Sequence, residues 1–346
     1  MSLRDEIFEQ PAAARRLLAS GSGDGWAGLR AAVTARRPRF VVIAARGTSD
    51  NAGLYLQYLL AVRNGLVGAL AAPSTITLYG GRPQMAEALV VGISQSGRSP
   101  DIVAVVERAR EQGATTVALT NNPRSALAAA AEHSIDLAAG PELATAATKS
   151  YTAQLLAGVL VSGTLDPLSA AEAADLERVP ALMDEALATE DAARGLAAAH
   201  AHRQRGVVLG RGYSYATARE WALKSIELAQ VPLLAFSAAD FEHGPLALAE
   251  PGLPVLAVVS GGPERASMAT LLARLRAELR ARLTVISDSA ELRALDEGLP
   301  LPAGTPGWLA PAVEIVPAQL YTYHLTIARG LDPERPRTIT KVTETR

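Results

Sequence analysis

The sequence predicts an α/β protein built from two tandem doubly wound parallel sheets. Three observations carry this. Short apolar runs of strand length alternate with helical patterns, the order that builds a parallel sheet covered on both faces. The clearest of those runs end in turns rich in glycine and serine that lead into helices. The pattern also repeats: Ala44–Ser49 (AARGTS) matches Leu209–Ser214 (LGRGYS), and Val90–Gly97 (VVGISQSG) matches Val255–Gly262 (VLAVVSGG), both at a separation of 165 residues. A third pair, Thr116–Leu119 and Thr284–Ser287, aligns at 168. Two runs at one separation indicate a duplication.

Residues 2–36 read as two helices divided by the glycine-rich Gly21–Gly25. Phe40–Ala45 is the first strand, followed by a glycine turn and a helical pattern from Ala52. Ser74–Tyr79 and Ala88–Ser94 read as the next strands, then a helix over about 99–112, then strands at Thr115–Thr120 and His133–Ala138. Residues 148–202 are Ala-rich and helical, with breaks expected near Leu165–Leu168 and Val179–Pro180. Strands resume at Gly206–Gly212, Leu233–Phe236, Pro254–Ser260 and Leu283–Asp288. The expected organisation is N-terminal helices (1–36), a first α/β domain (37–165), a helical connection (166–202), a second α/β domain (203–329) and an extended tail (330–346) that must pack on something to be ordered.

Composition removes several function classes. The 346 residues hold 33 basic and 35 acidic groups, a net charge of −2, so there is no basic excess to neutralise a nucleic-acid backbone. No cysteine is present, which excludes disulfides, Cys-ligated zinc, iron–sulfur clusters and a cysteine nucleophile. The opening MSLRDEIFEQ is polar, and no apolar window reaches the ~18 residues of a membrane span, so a cytoplasmic protein is expected. The histidines lack metal-binding spacing; no metal and no organic cofactor are expected. Of the 33 basic residues only three are lysine, at 149, 224 and 341. The plain reading of the arginines is a GC-rich genome that replaces lysine wherever charge alone suffices. The surviving lysines draw attention because an amine can lose its proton and form an imine, whereas a guanidinium cannot.

Five segments carry possible chemistry. Gly92–Asp101 (GISQSGRSPD) follows a strand and opens a helix, so Ser94, Gln95, Ser96 and Ser99 surround exposed helix N–H groups, a good setting for a phosphate. An ordinary helix cap is the other reading, but a cap needs one Ser or Asp rather than this set. Neither GxGxxG after the first strand nor GxxxxGK[ST] occurs, so dinucleotide and ATP readings are weak. Arg46–Asn51, holding Thr48 and Ser49, is a second strand-to-helix turn at the same sheet edge, where such folds bind ligands. Glu220, Lys224 and Glu227 fall on one helix face. Such a stripe is usually a solvated ion-pair ladder; rare lysine and apolar flanks argue for burial instead. Asp240–Leu246 brings His243 and carboxylates into a Gly-Pro segment after a strand, candidates for proton transfer. Thr340–Lys341 lies near the end of the chain.

Together these residues resemble the tandem sugar-isomerase (SIS) family, in particular the isomerase half of glucosamine-fructose-6-phosphate aminotransferase. The carriers are Gly47–Ser49 (GTS), Ser94–Gly97 (SQSG), Ala147–Gln154 (ATKSYTAQ), Leu209–Gly212 (LGRG), Ala222–Glu227 (ALKSIE), Glu242–Leu248 (EHGPLAL), Val316–His324 (VPAQLYTYH) and the tail PRTITKVTET. The resemblance implies two flavodoxin-like SIS domains. It implies that Ser49, Ser94, Gln95, Ser96 and Ser99 hold a sugar phosphate and that Thr48, Thr145 and Thr340 contact the sugar. Glu227 would move a proton between C1 and C2, with Lys224 assisting near the sugar hydroxyls. His243 would help open the ring, reaching the site from the partner of a homodimer with shared active sites, and Lys341 would contact or form an imine with the open-chain ketose.

The departures direct the functional expectation. Arg98 stands where an acidic residue usually follows SQSG, and Glu242 replaces a basic residue beside the histidine. Ser99-Pro100-Asp101 is similar to the stand-alone, catabolic branch of the family. The family's glutaminase part depends on a catalytic cysteine, and this sequence has none. The expected reaction is therefore conversion of glucosamine 6-phosphate to fructose 6-phosphate and ammonia. A fructosamine-6-phosphate deglycase, another aldose–ketose phosphosugar isomerase, and a non-catalytic sugar-phosphate-binding regulator stay open.

Overall fold

A computed structural model of the chain describes residues 2–21 and 23–341; the tail expected over 330–346 lies outside the described residues from Val342 onward. The chain divides into two compact units. One gathers Ala12–Glu142, Lys149–Ala173 and the chain from Thr340; the other gathers the amino-terminal residues through Pro11, Leu143–Thr148 and Ala174–Ile339.

The first unit is built on a five-stranded parallel sheet: β1 (Phe40–Ala44), β2 (Val67–Leu70), β3 (Ala88–Ile93), β4 (Thr115–Thr120) and β5 (His133–Asp136), in the order β2-β1-β3-β4-β5. Every residue of β3 and β4 is buried. That is why ALVVGI and TTVALT read as continuous runs without alternation: helices cover both sheet faces. The helix Lys149–Leu165, buried along almost its whole length, packs on the helices Thr48–Arg63 and Asp24–Arg36.

The second unit repeats the plan with β6 (Gly206–Gly210), β7 (Leu233–Ser237), β8 (Pro254–Val259), β9 (Arg282–Ser287) and β10 (Glu297–Pro300), in the order β7-β6-β8-β9-β10. The two sheets thus share one topology, and Gly47 (φ 54°) and Gly212 (φ 60°) both take a positive φ in the turns after β1 and β6. The nearly fully buried helix Ala310–Ala328 packs against the helices Glu190–His200, Ser214–Glu227 and Leu3–Phe8. Beyond it the tail leaves regular structure, and Glu334 anchors it by accepting the Leu3 backbone N–H at 2.9 Å.

Four details differ from the sequence reading. Ser74–Tyr79 is not a strand: Ser74–Thr77 is a helical turn started by Pro73, with Thr75 and Thr77 hydroxyls bonded back to Ala72 and Pro73 at 2.7 and 3.3 Å. The edge strand is β2 instead, where only Gly68 is buried, so no apolar pattern marks it. β10 escaped for the same reason, with only Leu299 buried. The N-terminal region forms three helices, Leu3–Phe8, Gln10–Ser20 and Asp24–Arg36, the first held by a capping box between Ser2 and Asp5. The helix Ala170–Leu187 continues through Pro180; it ends where Ala188 and Thr189 bond to carbonyls three residues back.

Candidate functional site

In the first unit the chain reverses direction across the sheet between β1 and β3, the switch point at which open α/β sheets bind ligands. Ala44 pairs with Gly92, so the turns after β1 and β3 begin side by side. Thr48 and Ser49 open the helix Thr48–Arg63; Ser94, Gln95, Ser96 and Ser99 lie before the helix Pro100–Glu111. Arg46 Nε donates to Asp101 Oδ2 at 2.7 Å, tying one turn to the first turn of the other helix.

The SQSG turn is tightly determined. Gly97 has φ 63°, and a Cβ there would meet Ser125 Oγ at 2.1 Å. The Gly97 N–H donates to Ser94 Oγ at 3.1 Å, and the Arg98 N–H reaches Ser96 Oγ at 3.4 Å. Ser99 stands at the N-cap position but its side chain makes no capping bond, which leaves the hydroxyl available to a ligand at this helix start. The phosphate residues drawn from the sequence are therefore brought to one sheet edge.

The same unit holds Thr340, exposed, and Lys341, half-buried. Lys341 Nζ donates to the fully buried carboxylate of Glu142 at 2.8 Å. Glu142 also accepts from the Ser150 hydroxyl at 2.7 Å and its backbone N–H at 3.0 Å. Lys149 is fully buried at the start of its helix. Sequence reasoning missed Glu142. Its signal was present: it is the sole acidic residue between Asp136 and Asp166.

The second unit holds the other candidates. On the helix Ser214–Glu227, Lys224 Nζ lies 2.6 Å from Glu227 Oε2 and 3.2 Å from Glu220 Oε1. Lys224 and Glu220 are buried and the Glu227 side chain is 23% exposed, so the stripe is no solvated ladder. Burial opposes the charge on Lys224, but the two carboxylates outweigh it and raise its pKa above the ordinary lysine value. Lys224 is a held ammonium, suited to donating hydrogen bonds to oxygen and not to forming an imine. Glu227 is the member of the trio with solvent access, the requirement for a base that meets substrate. His243 is exposed just after the helix Ala238–Glu242, and Thr145 is half-buried in the segment Leu143–Thr148. Two other histidines are structural ties: His200 bonds Tyr321 and Glu297 at 2.9 and 2.7 Å, and His324 bonds Glu190 at 3.1 Å.

Among the described residues no helix is long and apolar enough to cross a membrane, and no group of three or more acidic or histidine side chains is arranged to hold a metal.

The family model for the SIS domain matches residues 36–161 and 201–329. The chain belongs to the SIS domain family. It is 32% identical over 341 residues, 97% of its length, to the glutamine–fructose-6-phosphate aminotransferase of Pyrococcus horikoshii, covering 56% of that protein. It spans about half the length of the curated relatives it matches. The C-terminal domain of glucosamine-fructose-6-phosphate aminotransferase from Francisella tularensis superposes with a TM-score of 0.86 at 25% identity, covering 96% of this chain and 97% of that one. Tagatose-6-phosphate ketose/aldose isomerase from Escherichia coli gives 0.79 at 26% identity, covering 97% and 95%.

Proposed function

We propose that the chain is a phosphosugar isomerase–deaminase that takes glucosamine 6-phosphate and water to fructose 6-phosphate and ammonia. The observation that carries the reading is the buried Glu220–Lys224–Glu227 trio, in which an ammonium is fixed beside a carboxylate that solvent reaches. Proton abstraction α to a carbonyl needs that combination: a base for the carbon acid and a donor for the oxygen on which charge develops.

On this reading the phosphate is bound by Ser49, Ser94, Gln95, Ser96 and Ser99, and Thr48, Thr145 and Thr340 contact the sugar. His243 assists ring opening and serves the partner subunit's site in a homodimer; its exposure supports that role. Glu227 takes the C2 proton of the open-chain aldehyde, and a proton is returned at C1. The resulting ketimine adds water at C2 and releases ammonia. Lys224 donates to the sugar oxygens, and Lys341, now held by Glu142, contacts or forms an imine with the open-chain ketose.

Likeness to the aminotransferase relatives supports amino-sugar chemistry. Likeness to the ketose/aldose isomerase favours a second reading, simple aldose–ketose exchange with no loss of nitrogen. A panel of glucosamine 6-phosphate, fructosamine 6-phosphates and unaminated aldose and ketose 6-phosphates, assayed for ammonia and for isomerisation, separates them. Ammonia from glucosamine 6-phosphate alone is the expected result. Isomerisation without ammonia selects the second reading, and binding with no turnover on any member selects a regulatory protein.

A further inference from the structure

The duplication allows the phosphate turn of the first unit to be compared, position by position, with its counterpart. At the separation of 165 residues, Ser49 corresponds to Ser214, Gln95 to Ser260 and Ser99 to Glu264. Gly47 and Gly212 both take a positive φ in the turns after β1 and β6, whereas the left-handed Gly97 (φ 63°) has no left-handed counterpart at Gly262. What faces the turns also differs. Ser214 Oγ donates to Glu314 Oε1 at 2.7 Å, and Thr217 Oγ1 donates to Glu314 Oε2 at 2.8 Å. The Ser260 Oγ lies 3.3 Å from that of Ser214, beside this carboxylate. Glu314 is completely buried and, among the described residues, makes no ion pair; hydroxyls hold it. A second carboxylate closes the same turn: a Cβ on Gly262 would lie 2.5 Å from Glu264 Oε2, and one on Gly212 would lie 3.7 Å from Glu264 Cδ.

We propose that the second unit contains an anion site filled by the chain itself, with the Glu314 carboxylate standing where the corresponding turn of the first unit takes a phosphate. Its partner Ser214 and the neighbouring Ser260 occupy positions equivalent to the candidate phosphate residues Ser49 and Gln95. Burial still pushes the Glu314 carboxyl up to about 7; the hydroxyl donors offset part of that cost and hold the carboxylate when it is charged. The helix whose first turn Glu314 holds is the one that carries Glu220, Lys224 and Glu227. Glu314 is thus a positioning residue for them, and the second unit is closed to free phosphate.

This inference rests on the phosphate assignment of the first unit only for its comparison of positions. The test is chemical rescue of Glu314→Ala, read as melting temperature in formate, in acetate and in inorganic phosphate against chloride at equal ionic strength. The expected result is a melting temperature several degrees below wild type that formate or acetate raises, with a gain absent from wild type and from Glu314→Gln. A phosphate gain in Glu314→Ala beyond that of wild type marks the site as open to phosphate too. No anion-specific gain, or the same gain in all three proteins, overturns the proposal. If Glu314→Ala does not fold, refolding from denaturant in formate against chloride decides it: recovery only in formate supports the internal ligand, and recovery in neither overturns it. Rescue in formate together with a wild type that ignores phosphate would count against the first unit's assignment and leave this one standing.

Discussion

Lys224 Nζ donates to Glu227 Oε2 across 2.6 Å while its other carboxylate partner, Glu220, is fully buried beneath it. The lysine therefore has two tasks on one helix face. It neutralises Glu220, and it presents a fixed ammonium next to a carboxylate that solvent reaches. Removing it exposes both tasks. Lys224→Ala removes the ammonium that faces the buried Glu220 carboxylate, a change expected to cost about 3–5 kcal/mol. Glu220→Gln with Lys224→Met recovers most of that stability and stays inactive. Denaturant melts of the single and double variants check the first statement, and turnover checks the second.

Gly97→Ala tests the phosphate turn as a backbone device. Its left-handed φ and the 2.1 Å approach to Ser125 Oγ leave no room for a methyl group. The variant loses sugar-phosphate affinity at least as strongly as Ser96→Ala, for which about tenfold in KM is expected from one lost charge-assisted hydrogen bond. An unchanged KM in both variants, measured on folded protein, would remove the phosphate from this turn.

Lys341→Arg keeps the charge opposite Glu142 and removes the ability to form an imine. If Lys341 acts through an imine, Lys341→Arg retains the wild-type melting temperature and is as inactive as Lys341→Ala. If it acts by charge alone, Lys341→Arg recovers most of the activity. Borohydride trapping in the presence of substrate, read by intact mass, separates the two directly.

The sign of the pH dependence at Glu314 follows from its environment. Burial pushes this carboxyl up to about 7, against the pull of Ser214, Thr217 and Ser260 and with a further push from Glu264. A raised pKa means the folded state holds the proton more tightly than the unfolded chain does. The contribution is full below the ordinary carboxylate range and is lost as pH rises through about 7. Wild-type melting temperature should fall between pH 5 and 8 more steeply than that of Glu314→Gln. Parallel curves would assign the pH response elsewhere.

Much of this molecule is readable in its sequence because burial writes a clear pattern. The fully buried β3 appears as an unbroken apolar run and β4 as a β-branched run without alternation, and the duplicated Gly47 and Gly212 turns survive as matching segments. The edge strands β2 and β10 bury one residue each, so nothing periodic marks them. Among site residues, Lys224 stood out by rarity and Ser94–Ser99 by local composition. Glu142 and Glu314 are partners chosen by the fold from distant segments. Each was visible only as a lone acid in a long apolar stretch, Glu314 being the sole one between Glu297 and Asp332. Sequence spacing says nothing about what such a carboxylate meets.

The central claim is that Glu227 moves a proton on an amino-sugar phosphate. It is tested most directly by incubating the protein with glucosamine 6-phosphate in deuterated buffer, measuring ammonia and fructose 6-phosphate together with deuterium at C1. Wild type should give the two products in equal amounts with solvent deuterium in the sugar, and Glu227→Gln should lose about 10²–10⁴-fold in both turnover and exchange while still binding substrate. Folded wild-type protein that binds the sugar phosphate but releases no ammonia and exchanges no deuterium, or a Glu227→Gln variant that exchanges at the wild-type rate, would contradict it.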